Sequence, residues 1–150
     1  MNNLQFDTGL KEYRVNGRAT LRMNPGDMNL FDRFIRAKDR IEAIENELNT
    51  SLQSFPPESD PATRGAAALR CMAEADRKVK DVLNEVFGAG NDFDEIFDHV
   101  NVMAIAGNGE RVITNFFAAV TPLVQQGAEG YAKNKAAAAK LNRAQRRAKA

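Results

Sequence analysis

Tryptophan is absent from this 150-residue chain, and cysteine and histidine occur once each, as Cys71 and His99. A lone cysteine cannot close an intramolecular disulfide, and one cysteine with one histidine is too few for a Cys/His zinc site. No stretch approaches the roughly eighteen consecutive apolar residues of a membrane-spanning helix. Met1-Asn2-Asn3-Leu4-Gln5-Phe6-Asp7 has neither the basic nor the apolar region of a signal peptide, so a cytoplasmic location is expected. Nine of the eleven aromatic residues are phenylalanine, which suits core filling better than ligand stacking. The last absence is acid: Tyr131 to Ala150 holds seven basic residues and no acidic one, whereas the residues before it hold fourteen basic and twenty acidic. The formal net charge of +1 therefore divides into a body of about −6 and a tail of about +7.

What is present, 43% hydrophobic and 27% charged residues, is the composition of an ordinary folded domain. Leu10 to Val15 and Arg18 to Met23 flank Asn16-Gly17, a strong hairpin signal within a β region over residues 4–23. A two-residue turn would split the apolar residues between faces. A three-residue bulged loop at Val15-Asn16-Gly17 pairs Arg14 with Arg18 and Tyr13 with Ala19, and predicts Tyr13, Ala19, Leu21 and Met23 on one face. Asn24-Pro25-Gly26 predicts a turn and Asp27 an N-cap. Met28, Phe31, Phe34, Ile35, Ala37, Ile41, Ile44, Leu48 and Leu52 then mark an amphipathic helix of about 25 residues.

Pro56 and Pro57 break that pattern, and Asp60 with Pro61 restarts a helix at N-cap and first turn. Its expected stripe is Leu69, Met72, Val79, Val82, Leu83 and Val86, and Gly88-Ala89-Gly90 predicts a left-handed C-cap near Phe87. Asp92 and Glu95 predict a capping box for a third helix with Phe93, Ile96, Phe97 and Val100 inward. Residues 101–106 read equally as a continuation or as a short extended piece. After the turn at Gly107-Asn108-Gly109, Val112, Ile113, Phe116, Phe117, Val120, Leu123 and Val124 mark a last helix that Pro122 can kink. Gly127 and Gly130 are expected to loosen the chain before an Ala-rich, helix-prone tail with little apolar face.

Few motifs carry chemistry. Asp92, Asp94, Glu95 and Asp98 fail as a calcium loop, because Phe97 stands where glycine is needed and Met103 where the closing glutamate belongs. His99 has no marked nucleophile beside it, and the expectation is a packed or partly exposed histidine and a buried Cys71 thiol. Gly107-x-Gly109 is too short for a dinucleotide fingerprint and no P-loop is present. Glu45 and Glu47 fall on opposite sides of a helix. No catalytic, cofactor-binding or metal-binding residue is expected, and the chain reads as a non-enzyme. Lys133, Lys135, Lys140, Arg143, Arg146, Arg147 and Lys149 are the candidate partner-binding residues. Seven cations can neutralise phosphates. Without interleaved aromatics beyond Tyr131, a protein partner or a plain solubilising tail is favoured over nucleic acid, and a membrane surface is not expected.

The order of elements resembles a known family. Leu4-Gln5-Phe6-Asp7-Thr8-Gly9 leading through the hairpin into Asn24-Pro25-Gly26-Asp27, the long charged helix, Asp92-Phe93-Asp94-Glu95-Ile96-Phe97-Asp98-His99-Val100-Asn101 and the closing Leu141-Asn142-Arg143-Ala144-Gln145-Arg146-Arg147 are similar to small proteins of tailed bacteriophages. Those proteins are encoded near the tail tube and tape measure genes and are described as tail assembly chaperones. The resemblance implies a non-enzymatic protein of the host bacterial cytoplasm. It would cover the tape measure protein while tail tube subunits polymerise, and would self-associate. A minor structural tail protein of the virion, or an accessory protein binding nucleic acid through the basic tail, are the alternatives. The predicted fold is α+β, mainly α: a hairpin, a long amphipathic helix and three further helices in a domain of residues 1–126, followed by a basic tail over 127–150.

Overall fold

The computed structural model describes residues 1–149. Its elements run β1 (Lys11–Val15), β2 (Ala19–Met23), α1 (Met28–Gln53), α2 (Pro61–Phe87), α3 (Phe93–Ile96) and α4 (Val112–Lys149). The chain is mainly helical, with an N-terminal antiparallel hairpin followed by four helices. Ala150, the last residue of the expected tail, lies outside the described residues.

The hairpin loop has the predicted length but sits one residue later, at Asn16-Gly17-Arg18. Asn16 and Gly17 both take left-handed backbone angles, φ 51° and 68°, and the Arg18 N–H donates to the Val15 carbonyl at 3.0 Å. Moving the loop by one residue moves every cross-strand partner by two: Tyr13 faces Leu21 and Val15 faces Ala19, in place of the expected Tyr13–Ala19 and Arg14–Arg18 pairs. The observed register keeps Tyr13, Ala19, Leu21 and Met23 on one face and adds Val15. More apolar surface is buried per strand, and that decides between the two loops.

Asp27 caps α1, its carboxylate accepting from the Asn29 N–H at 2.9 Å. The buried row of α1 is Leu30, Phe34, Ala37, Ile41 and Leu48. Ile35, expected in the stripe, lies about 100° around the helix from Phe34 and is 49% exposed. Helices α1 and α2 pack antiparallel, tied by Arg40–Glu85 and by Lys78–Glu47 at 3.4 Å. That register places the end of α1, Gln53, across from about Met72, so the first turns of α2 run past their neighbour. Leu69 is consequently exposed, contrary to its expected place in the core, and burial on α2 begins at Ala75. Asp60 accepts from the Thr63 N–H at 3.3 Å with Pro61 at the first helical position, as predicted. The C-terminal glycine cap forms, but Gly88 has φ 96° and ψ 160°, a positive-φ conformation open essentially to glycine alone and distinct from the left-handed helical one.

Asp92 caps α3 by accepting from the Glu95 N–H at 3.1 Å. One turn later Asp98 and His99 both enter the left-handed region, φ 54° and 59°, and the His99 N–H closes on the Asp94 carbonyl at 2.7 Å. The helix therefore stops short, and Val100, expected inward, is exposed. Residues 101–106 do not continue it. Val102 and Met103 are fully buried, and Ile105 forms an isolated antiparallel bridge with Arg111.

Six of the nine phenylalanines knit the helices together. Phe34 of α1, Phe87 of α2, Phe93 and Phe97 at α3, and Phe116 and Phe117 of α4 form a chain of edge and tilted contacts with ring centroids 5.2–6.4 Å apart. Such pairs contribute about 0.5–1.5 kcal/mol each beyond burial. Pro122 lies inside α4 with Ala118 one turn before it, and both are exposed, so the carbonyl left without its donor can meet water.

Candidate interaction surface

Helix α4 does not break at Gly127 or Gly130; it crosses the expected domain boundary at residue 126 and continues through the cationic segment. Gly127 is the point of closest approach to the body. A Cβ there would stand 1.8 Å from the Pro25 carbonyl oxygen, so glycine is required by contact with the Asn24-Pro25-Gly26 turn rather than by a loose joint.

From Tyr131 to Ala148 the residues are exposed. Lys133, Lys135, Lys140, Arg143, Arg146 and Arg147 all face solvent, and the side chain of Lys149 lies outside the described residues. On a helix, residues three and four apart share a face. Ala137, Leu141, Ala144 and Ala148 accordingly form one row, with Leu141 60% exposed. Lys133, Lys140 and Arg147, spaced by sevens, run beside it. The sequence-predicted cations are therefore not gathered into a pocket. They are arrayed along a rod.

Eight of the fourteen body cations differ. Arg18, Arg22, Arg36, Arg40, Arg77, Lys78, Lys80 and Arg111 each lie within ion-pair distance of a carboxylate. None of the six tail cations does so among the described residues. Lys135 instead holds its ammonium 5.8 Å from the centre of the Tyr131 ring, a cation–π contact. One body cation is buried. Lys80 is 3% exposed and donates to Asp76 and Asp94, each at 2.9 Å, while the other Asp76 oxygen accepts from the Val102 N–H at 2.8 Å. The Lys80 hydrogen bond holds the Asp94 carboxyl below its usual range against a smaller desolvation effect, with help from the Lys80 and Arg77 charges. Arg111 reaches Glu45 at 2.8 Å and the Met103 carbonyl at 2.6 Å, fixing the segment before α4 onto α1.

Where α4 leaves the body it forms one wall of a groove of about 570 Å³, lined by Lys11, Tyr13, Pro25, Leu123, Gly127, Tyr131 and Lys135 among others. Both tyrosines of the chain and two lysines meet there. Sequence reasoning missed this convergence. Residues 13 and 131 are joined only by the passage of α4 under the hairpin, which no local pattern announces. A second groove of about 420 Å³ lies at the hairpin tip against Ile96, Phe97, Val112 and Phe116.

His99 is exposed, and its backbone geometry closes α3. Cys71 is half-buried rather than buried as expected, because it sits on α2 near the level where α1 ends. Among the described residues no cluster of three or more His, Cys, Asp or Glu side chains is arranged to hold a metal ion, and no helix is long and apolar enough to cross a membrane. The arrangement offers cationic and apolar surface for docking. Compared with protein-family models, curated proteins and solved structures, the chain matches none.

Proposed function

We propose that the chain is a non-enzymatic assembly chaperone for the tails of bacteriophages, acting in the host cytoplasm to cover the tape measure protein while tail tube subunits polymerise. The observation that carries this reading is the projecting end of α4. Its cations are without carboxylate partners among the described residues and flank an exposed Ala/Leu row. A partner helix with acidic residues beside a narrow apolar stripe is the complementary surface. Together with the resemblance in the order of elements, this favours a long helical client.

Co-expression with the tape measure protein tests the proposal. Solubility of that protein should depend on this chain and fall when Lys133, Lys140 and Arg147 are replaced together by glutamate. An equal yield of soluble tape measure protein with and without the chain refutes it. Purified virions distinguish a chaperone, absent from the particle, from a structural tail protein present at fixed copy number. Titration with random-sequence DNA at low salt tests nucleic-acid binding. Tight, steeply salt-dependent association would replace the chaperone reading.

A further inference from the structure

The two edges of the hairpin are treated differently. On the β2 edge the carboxamide of Asn91, 8% exposed, acts as a substitute strand: its oxygen accepts from the Arg22 N–H at 2.7 Å and its nitrogen donates to the Arg22 carbonyl at 2.9 Å. The main-chain groups of Arg22 therefore point away from β1. In an antiparallel pair, directly opposed residues either exchange both hydrogen bonds or neither. Glu12, opposite Arg22, and Arg14, opposite Thr20, consequently aim their own N–H and C=O groups outward along the free edge of β1. The sheet has two strands, and no backbone bond outside the hairpin reaches Glu12 or Arg14 among the described residues. An open edge is a template for another strand.

We propose that this edge pairs with β1 of a second copy, antiparallel and two-fold symmetric about Tyr13, giving a continuous four-stranded sheet. The sequence of the edge fits itself. With Tyr13 opposite the second copy's Tyr13, each Glu12 stands opposite an Arg14. The two Glu12–Arg14 pairs exchange four main-chain hydrogen bonds, and opposite charges meet twice on the solvent face. Glu12 and Arg14 are both exposed, and the in-hairpin pair between Glu12 and Arg22, at 3.3 Å, leaves the Glu12 carboxylate at the surface. The two tyrosines meet on the opposite face, above the groove that each shares with α4. The α4 ends are a poor alternative for self-association, because cations without acids repel their own copies. The pairing is independent of what the α4 end binds.

Charge exchange tests it on the full chain. Sedimentation equilibrium of the wild type across a concentration series should reach twice the 16.6 kDa chain mass. Glu12→Arg alone or Arg14→Glu alone opposes like charges at both symmetric positions and should weaken the dimer at least about tenfold. Mixing the two single variants restores opposite charges at both positions and should yield a heterodimer of wild-type strength. The double variant E12R/R14E should dimerise by itself. Far-UV circular dichroism checks that each variant is folded. Arg14→Pro, which removes one outward N–H at an edge position where proline is tolerated, supplies a second route to a folded monomer. A wild type that stays monomeric throughout, single reversals that dimerise as the wild type does, or a mixture that fails to recover would each overturn the proposal.

Discussion

Replacing Gly127 by alanine sets two effects of opposite sign against each other. Alanine is favoured over glycine in a helix interior by about 1 kcal/mol, so propensity alone predicts a more stable protein. The added Cβ, however, would lie 1.8 Å from the Pro25 oxygen, 2.4 Å from its carbonyl carbon and 2.8 Å from its Cβ. These are backbone and ring atoms that cannot rotate aside, so α4 and the 24–26 turn must separate by more than about 1 Å, and overpacking of this kind costs about 1–3 kcal/mol or more. The clash should win, leaving Gly127→Ala less stable by up to about 2 kcal/mol. Gly130 is the internal control: it lies three residues on in the same helix, with nothing within 4 Å of the position its Cβ would take. Gly130→Ala should therefore be more stable by about 0.5–1 kcal/mol. Urea unfolding followed by far-UV circular dichroism reads both, with midpoints moving in opposite directions at unchanged slope. Equal shifts of the same sign would show that α4 does not press against the turn at Gly127.

The buried ammonium gives a second comparison. Lys80→Met leaves Asp76, 16% exposed, as an anion without its partner and should cost about 3 kcal/mol, whereas adding Asp76→Asn keeps an acceptor for the Val102 N–H and should recover most of that loss in denaturant titrations. A double variant no more stable than the single one would place the loss in packing. Because the folded pKa of Asp94 lies below its ordinary value, its pairing contributes fully above the unfolded carboxylate range and is lost as pH falls through the depressed folded value. Asp94→Asn should flatten the decline in stability below about pH 4. The effect should be modest, since the Asp94 side chain is 42% exposed.

Most elements were legible because their signals are local. Asp27, Asp60 and Asp92 cap the helices they were expected to cap, and the prolines at 56, 57 and 61 separate α1 from α2. What was illegible depended on a distant neighbour. The hairpin loop could be placed at residue 15 or 16 on turn chemistry, and the buried face decides. Leu69 fits its helical stripe as well as Val79 does, but only the latter has α1 beside it. Gly127 carries the same letter as a flexible joint and as a close contact, and the Pro25 carbonyl distinguishes them. The tail cations were legible as a composition. The groove uniting Tyr13 with Tyr131 was not, since it forms only when α4 passes beneath the hairpin.

That passage also bears on why the basic end does not neutralise the acidic body. A jointed linker at Gly127 and Gly130 would let seven cations fold back onto a surface of opposite charge, the outcome Coulomb attraction favours in a single molecule. A continuous helix forbids it. Rising about 1.5 Å per residue, the nineteen residues from Tyr131 to Lys149 extend about 28 Å from the point where α4 leaves Pro25. An isolated segment of that length is only partly helical in water, because starting a helix is costly and its like charges repel. Part of its ordering free energy then comes from the body at one end and, when a partner is bound, from contacts along its length. Contact between Gly127 and Pro25 supplies the first of these and sets the direction of the second. A proline in place of Gly130 should release the cations toward the body's own carboxylates and weaken capture of an acidic helix, although every charge is retained. Unchanged capture by Gly130→Pro would mean that charge alone, without direction, suffices.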